Sequence, residues 1–228
     1  MSVEMKAVIA ILASYASAGL AQALLNKAYA SPGAQKYMIS DDPHRSKSER
    51  ELRWRVLLNA TVSITLIFSI VLLLGQYVYH DRVIPIWRYA LEALTVIVIY
   101  DFGYYFMHRY PFHEWKILRG AHSVHHAARN PRHIDSLLLH PIETILGLSL
   151  FFGTCALVGG VHVITLGFLF TIYTALNILN HAGINDPNFP FKTLGKLAVV
   201  HDRHHHSMIS GNYASITPLP DIIFGTVE

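Results

Sequence analysis

Cysteine is nearly absent. Cys155 is the only one in 228 residues, and it lies inside an apolar run. No disulfide framework can form, and no redox compartment follows from it. Charge is scarce as well. Asp, Glu, Lys and Arg make up 14% of residues, against about 25% in a soluble domain. With 52% hydrophobic residues and a mean hydropathy of +0.34, the chain reads as an all-α integral membrane protein and not as a soluble domain. A pI of 8.9 would point a soluble protein toward nucleic acid. Here membrane topology accounts for the basic residues, and no nucleic-acid partner is expected. Two metal motifs are missing too. The H-E-x-x-H of many zinc hydrolases fails at His113-Glu114, where Ile117 stands in the place of the second histidine. The E-x-x-H repeats of soluble ferritin-like di-iron proteins do not occur.

Histidine is what the chain has in excess. There are fifteen, and only His44 and His80 precede position 108. They come in clumps: His108 and His113, then His122-Ser-Val-His125-His126, then His140, His181 and His201-Asp-Arg-His204-His205-His206. Neutral imidazole is the commonest protein ligand for iron, zinc and copper. In a helix, residues three and four apart share a face, so H-x-x-H-H groups three rings. The motif occurs twice with the same spacing, beside long apolar segments. Surface clusters seldom repeat in that way, so the pattern points to a metal site.

Taken in order, residues 7–26 carry no charge and are long enough to span a bilayer, which takes about 20 residues. They read as a retained span, not a signal peptide. Residues 31–55 form a polar loop with Pro32-Gly33 and Asp41-Asp42-Pro43, and a helix starts near Ser46 to Glu49. Residues 56–79 and 86–107 are further spans, the latter carrying Glu92 and Asp101. Thr144 to Asn180 has no charge and is broken at Gly159-Gly160, which makes a hairpin. Its first arm is short, so the pair either crosses or enters and returns. The expected fold is thus one membrane domain over residues 1–228, a bundle of about four to five transmembrane helices. A histidine-rich cap is formed by 108–140 and by a polar tail, 181–228, with Pro187 and Pro190. Because the hairpin returns the chain to the side it left, all the clumps lie on one face and can converge. That side holds fifteen of the eighteen lysines and arginines, so the positive-inside rule makes the cap cytoplasmic.

Candidate metal ligands are therefore His108, His113, His122, His125, His126, His140, His181, His201, His204 and His205. His108 and His113 are five apart, and Pro111 between them should end or bend the helix; a distorted turn would let both reach one centre. His140 is either a ligand or a brace for Glu143. Asn177 lies four before His181 and offers a weak oxygen ligand or holds a water. Asp101 sits at depth in a span, where charge is costly and usually functional. Its natural role is to accept the free ring N–H of a ligand histidine. His206 is a ligand or a neighbour. His44, His80, His133 and His162 are expected at surfaces or interfaces. About eight to ten converging imidazoles are too many for one ion and suit two.

The pattern resembles the fatty acid hydroxylase / sterol desaturase superfamily. Asp101-x-x-Tyr-Tyr-x-x-His108-Arg109 and His122-Ser-Val-His125-His126 look like its first two histidine boxes. His140-Pro-Ile-Glu143 and Asn180-His181-Ala182 look like its intermediate landmarks. The third box is followed by Gly211-Asn212-Tyr213-Ala214 and by Asp221-x-x-Phe224-Gly225-Thr226, wording nearest to C-4 methylsterol oxidases. The resemblance covers residues 96–228. It implies two iron ions, a membrane lipid substrate, O₂, and electrons from a cytochrome b5, ferredoxin or flavin reductase partner. Three features depart from the pattern. The first box is H-x4-H, where many members have H-x3-H. Counting from Asn212-Tyr213 would place the third box at Asp202–His206, whereas His201–His205 supplies three imidazoles and is preferred. Pro220 stands where a tryptophan is usual, which leaves the substrate open between sterol, fatty-acyl and other lipids. A membrane zinc hydrolase and a metal transporter are the rival classes. A transporter would string its ligands across the bilayer, which the one-sided clumps disfavour.

Overall fold

The structure is a computed structural model that describes residues 1–40, 42, 44–188 and 191–228. Asp41, Pro43 and Pro190, assigned above to loop and tail, lie outside the described residues.

The first helix, α1 (Val3–Tyr29), starts at Ser2, whose hydroxyl accepts from the Met5 N–H. The second, α2 (Glu49–Leu73), starts at Ser48, which caps Glu51 in the same way. It begins within the predicted helix start near Ser46 to Glu49, seven residues ahead of the apolar span, because a serine cap and a glutamate-rich first turn favour a helix there. It also ends before the predicted Tyr79. Tyr79 folds back to donate its hydroxyl to the Val71 carbonyl, and a single turn, Gly75–Val78, leads into a two-residue strand, β1 (Tyr79–His80). Helix α3 (Ile86–Met107) has the predicted bounds. A short helix α4 (Lys116–His122) follows, and then the hairpin of α5 (Pro141–Leu157) and α6 (Val163–Asn180). At the hairpin tip Gly159 and Gly160 have φ of +88° and +82°, which only glycine adopts freely. Strand β2 (Val161–His162) follows and pairs with β1 in parallel, Tyr79 opposite Val161. The segment expected to be a polar tail carries α7 (Phe191–His206) and α8 (Leu219–Phe224).

Among the described residues, four helical stretches are long and apolar enough to cross a membrane: Val3–Tyr29, Glu49–Leu73, Ile86–Glu114 and Val163–Asn180. Helix α5, with 17 residues, is about 26 Å long at 1.5 Å per residue. The outward faces carry exposed Leu20, Leu57, Leu72, Leu94 and Phe168, as a lipid-facing surface should. The protein is an integral membrane helical bundle. Ile11, Ile67, Val96, Phe151 and Leu166 meet at its centre. Helix α1 runs close along α6, where a Cβ on Gly167 would come within 2.9 Å of the Ala10 Cβ. Ser14 joins the two helices through Gly167 and Thr171.

The two ends of the bundle differ. At one end Lys6 pairs with Asp81, and Glu92 accepts from the His162 N–H and from Thr165. At the other end lie Tyr29, Glu49, Met107, Pro141 and Asn180, together with every histidine clump. This end is tied by Tyr29 donating to the Ala182 carbonyl and by Asn59 donating to the Leu139 carbonyl. The predicted return of the hairpin is therefore what gathers the clumps.

Candidate metal centre

Nine histidines converge at this end in two adjacent groups. His108, His113, His122, His126 and His204 form one; His125, His181, His201 and His205 form the other. Within each group the ligand nitrogens lie within 4.8 Å of one another. Three local structures make this possible. First, α3 continues as a π-helical turn from His108 to Glu114, with Pro111 inside it. The Trp115 N–H bonds five residues back to Tyr110 at 2.7 Å. A π turn brings residues five apart toward one face, and His108 and His113 Nε2 atoms are 3.3 Å apart. Second, the box at 122–126 straddles the end of α4 and a 3₁₀ turn, His125–Ala127. Third, the box at 201–205 ends α7.

Each H-x-x-H-H divides between the groups, where one shared helical face was expected. In each box the first and last rings meet, with Nε2 atoms 3.1 Å apart for His122–His126 and for His201–His205. The middle ring crosses over. His125 joins His181, with Nε2 atoms 3.1 Å apart, and His204 joins His126 at the same distance. The groups touch where His126 stacks on His205, ring centroids 4.8 Å apart.

The Nδ1 atoms explain why the Nε2 atoms point inward. His108 donates to the Tyr213 carbonyl, His113 to Met208, His125 to Leu138, His181 to Asn177, His204 to Gly211 and His205 to Ala128, at 2.7–3.3 Å. A carbonyl only accepts, so Nδ1 carries the hydrogen and Nε2 a lone pair. His108 and His113, and His125 and His181, therefore face each other lone pair to lone pair at 3.3 and 3.1 Å. Such contacts are stable in a buried site only around a cation, and the residues fit a metal. Burial holds His122, His125, His126 and His205 well below the ordinary histidine value, and it pushes His181 to about 4 and His204 to about 3. The rings thus stay neutral, as ligands must.

Three expectations need correction. His140 does not enter either group; its Nδ1 accepts from Ile142 N–H at the start of α5, where the sequence turns into Pro141. Asp101 accepts from no histidine. Its carboxylate takes the N–H groups of Ser215, Ile216 and Thr217 and the Thr217 hydroxyl at 2.6–3.3 Å. A loop of free backbone donors at the end of α3 claims it first. The carboxylate on a histidine is instead Glu143, 2.9 Å from His122 Nδ1. His133 and His162, expected at surfaces or interfaces, are buried. His133 lies against Tyr29, and His162 starts α6 by accepting from Ile164 N–H. His206 is exposed and stays outside both groups. The backbone acceptors at Tyr213, Met208, Leu138, Gly211 and Ala128 carried no sequence signal, because any residue type supplies a carbonyl.

Below the histidines lies a cavity of about 360 Å³. Its walls come from α1, α2, α3, α5 and α6, and are mostly apolar. His125, His181 and His201, one ring of the other group (His108), and Glu143 and Asn177 line its inner end.

Residues 93–226 match the fatty acid hydroxylase family. The chain belongs to that family. The match holds both H-x-x-H-H boxes, the π turn and the closing Asp221–Thr226 segment. Among curated proteins, this fatty acid hydroxylase family member is 37% identical to methylsterol monooxygenase 1 of Rattus norvegicus over 65% of its own chain and 50% of the relative. It is 30% identical to methylsterol monooxygenase 1 of Danio rerio over 86% of the chain and 68% of the relative. It is 32% identical to very-long-chain aldehyde decarbonylase GL1-11 of Oryza sativa over 63% of the chain and 55% of the relative. The chain spans about half the length of the first of these relatives. No solved structure matches it.

Proposed function

We propose that this family member is a membrane-bound non-haem di-iron oxygenase that hydroxylates or desaturates a C–H bond of a sterol or fatty-acyl lipid. The observation that carries the reading is the pair of all-imidazole groups at the closed end of an apolar cavity inside a membrane bundle. The relatives named methylsterol monooxygenase and aldehyde decarbonylase support it. His108, His113, His122, His126 and His204 would hold one iron, and His125, His181, His201 and His205 the other. Bound iron supplies reductive activation of O₂ and removal of hydrogen from an unactivated carbon. The chain's own residues do the rest. Backbone carbonyls and Glu143 fix the ring orientations, and burial keeps the rings neutral. The apolar walls place the lipid against the inner end and exclude water. Asp101 acts as a positioning residue by fastening the 215–217 loop, whereas Asn177 reaches His181 only through its backbone carbonyl and turns no side-chain oxygen to a histidine in either group.

Hydroxylation consumes one O₂, two electrons and two protons and yields the alcohol and water. The electrons come from a separate donor protein, a cytochrome b5, ferredoxin or flavin reductase, docking on the cap. The excess of basic residues on the histidine side supports a cytoplasmic cap. The test is O₂ uptake by purified protein with a chemical reductant, followed by mass analysis of added lipid extract. Reductant-dependent uptake with +16 or −2 lipid products is expected, and H125A or H204A abolishes it. Lipid hydrolysis without O₂ would overturn the reading in favour of a zinc hydrolase.

A further inference from the structure

We propose that the lipid enters the cavity sideways from the bilayer, through a mouth between α1 and α2 whose width is set by Gly19 and Ala60. This rests on the reading that the cavity holds the lipid.

The cavity's outer wall is built from one stripe of each helix. Tyr15, Ala18, Gly19 and Gln22 lie three and four apart on α1 and so share a face. Ala60, Ser63 and Ile64 face them from α2. The helices are joined by a hydrogen bond between the Tyr15 and Ser63 hydroxyls, 3.1 Å long. On the histidine side of that bridge Ala18, Gly19 and Ala60 are small, with Gln22 and Asn59 lining the cavity beyond them. Gly19 and Ile64 line the cavity and are themselves exposed, as residues beside an opening in the wall would be. A Cβ placed on Gly19 would meet nothing within 4 Å. Gly19 is ten residues before Tyr29, which puts it about 15 Å down the helix axis from the cap. That is well inside a hydrocarbon core of about 30 Å.

Water is scarce at that depth, and what faces the mouth is lipid. The inner end adds a second observation. Glu143, Asn177, His125, His181 and His201 line the same cavity as Gly19 and Ala60, so one continuous space runs from the mouth to the histidines. The occupant that fits this space is an apolar lipid whose body passes between α1 and α2 and whose reacting end reaches the histidines.

The test uses full-length protein in phosphatidylcholine vesicles containing a fatty acid with a mid-chain diazirine. After illumination, labelled peptides are mapped by mass spectrometry. In the wild type we expect labelling at Tyr173, inside the cavity, and at Leu94, on the outer surface of α3. In Gly19→Trp, labelling at Tyr173 should fall at least tenfold while Leu94 is unchanged. Should Gly19→Trp lower the melting temperature, Ala60→Trp blocks the same mouth from the opposite helix and is read in its place. Tyr173 labelled equally in wild type and both variants, or never labelled, overturns the proposal. Metal content is measured on the same samples. Its loss in the wild type would strike the oxygenase reading, whereas unblocked labelling strikes only the mouth.

Discussion

At the scale of single residues, the two carboxylates Asp101 and Glu143 do different work from their positions in the sequence. Asp101 receives three backbone N–H groups and one hydroxyl from Ser215, Ile216 and Thr217. Asp101→Ala should therefore unfasten the loop that follows the third box, leaving buried donors unpaired at a cost above about 3 kcal/mol. A fall in melting temperature checks this. Glu143 holds His122 Nδ1. Glu143→Ala is expected to weaken metal affinity about 10–100-fold, the usual effect of removing such a partner. Glu143→Gln, which keeps an acceptor, should recover part of it in a metal-binding titration. The sequence showed that a carboxylate inside a span would matter. It did not show which one meets a histidine, because that depends on where the 213–217 loop lands, far along the chain from Asp101. His140 misled for a related reason. Before Pro141 a histidine serves as well to start a helix as to bind a metal, and spacing does not separate the two.

At the scale of elements, matched H-x-x-H-H boxes were legible and their division between two groups was not. The first box leaves the helix at its middle ring, while the second stays inside α7 and divides through the directions of its side chains. The 3₁₀ turn at His125 turns the middle ring of the first box aside, and in the second the Nδ1 bonds of His204 to Gly211 and of His205 to Ala128 send the two rings to different groups. The preferred register, His201 to His205, supplies all three rings of its box. The closing segment contributes at this scale too. The Gly211 carbonyl orients His204, and a Cβ on Gly211 would collide with the Thr226 carbonyl oxygen. Gly211→Ala should push the 211–213 strap away from the C-terminal segment, misdirect His204 and empty the five-histidine group preferentially. The expected readout is about one retained iron per chain; unchanged metal content would contradict the argument.

At the scale of the whole molecule, parity was the most informative sequence feature. Three spans and a returning hairpin bring five helix ends and all the clumps together, and the structure gathers them at one end. Burial of the whole cluster has a pH consequence. The unfolded chain takes up protons on its histidines below about 6.5, while folded His181 and His204 resist down to about 4 and about 3. The unfolded state thus binds more protons in that interval, and stability falls as pH drops from 6.5 toward 4. Metal binding needs the same neutral rings and weakens in the same direction. Melting temperature and metal retention should be flat above pH 7 and decline together below 6.5. A flat profile down to pH 4.5 would show that the rings are not buried as a group.

The central claim is that two separate imidazole groups hold two metal ions, and metal stoichiometry tests it most directly. Detergent-purified protein, reconstituted with ferrous iron and freed of excess, is measured for metal per chain by mass spectrometry beside H125A and H204A. The account predicts about two irons in the wild type. H125A, from the four-histidine group, and H204A, from the five-histidine group, should each fall to about one iron or fewer. One tightly held zinc that iron does not replace, or iron content unaffected by either substitution, would contradict it.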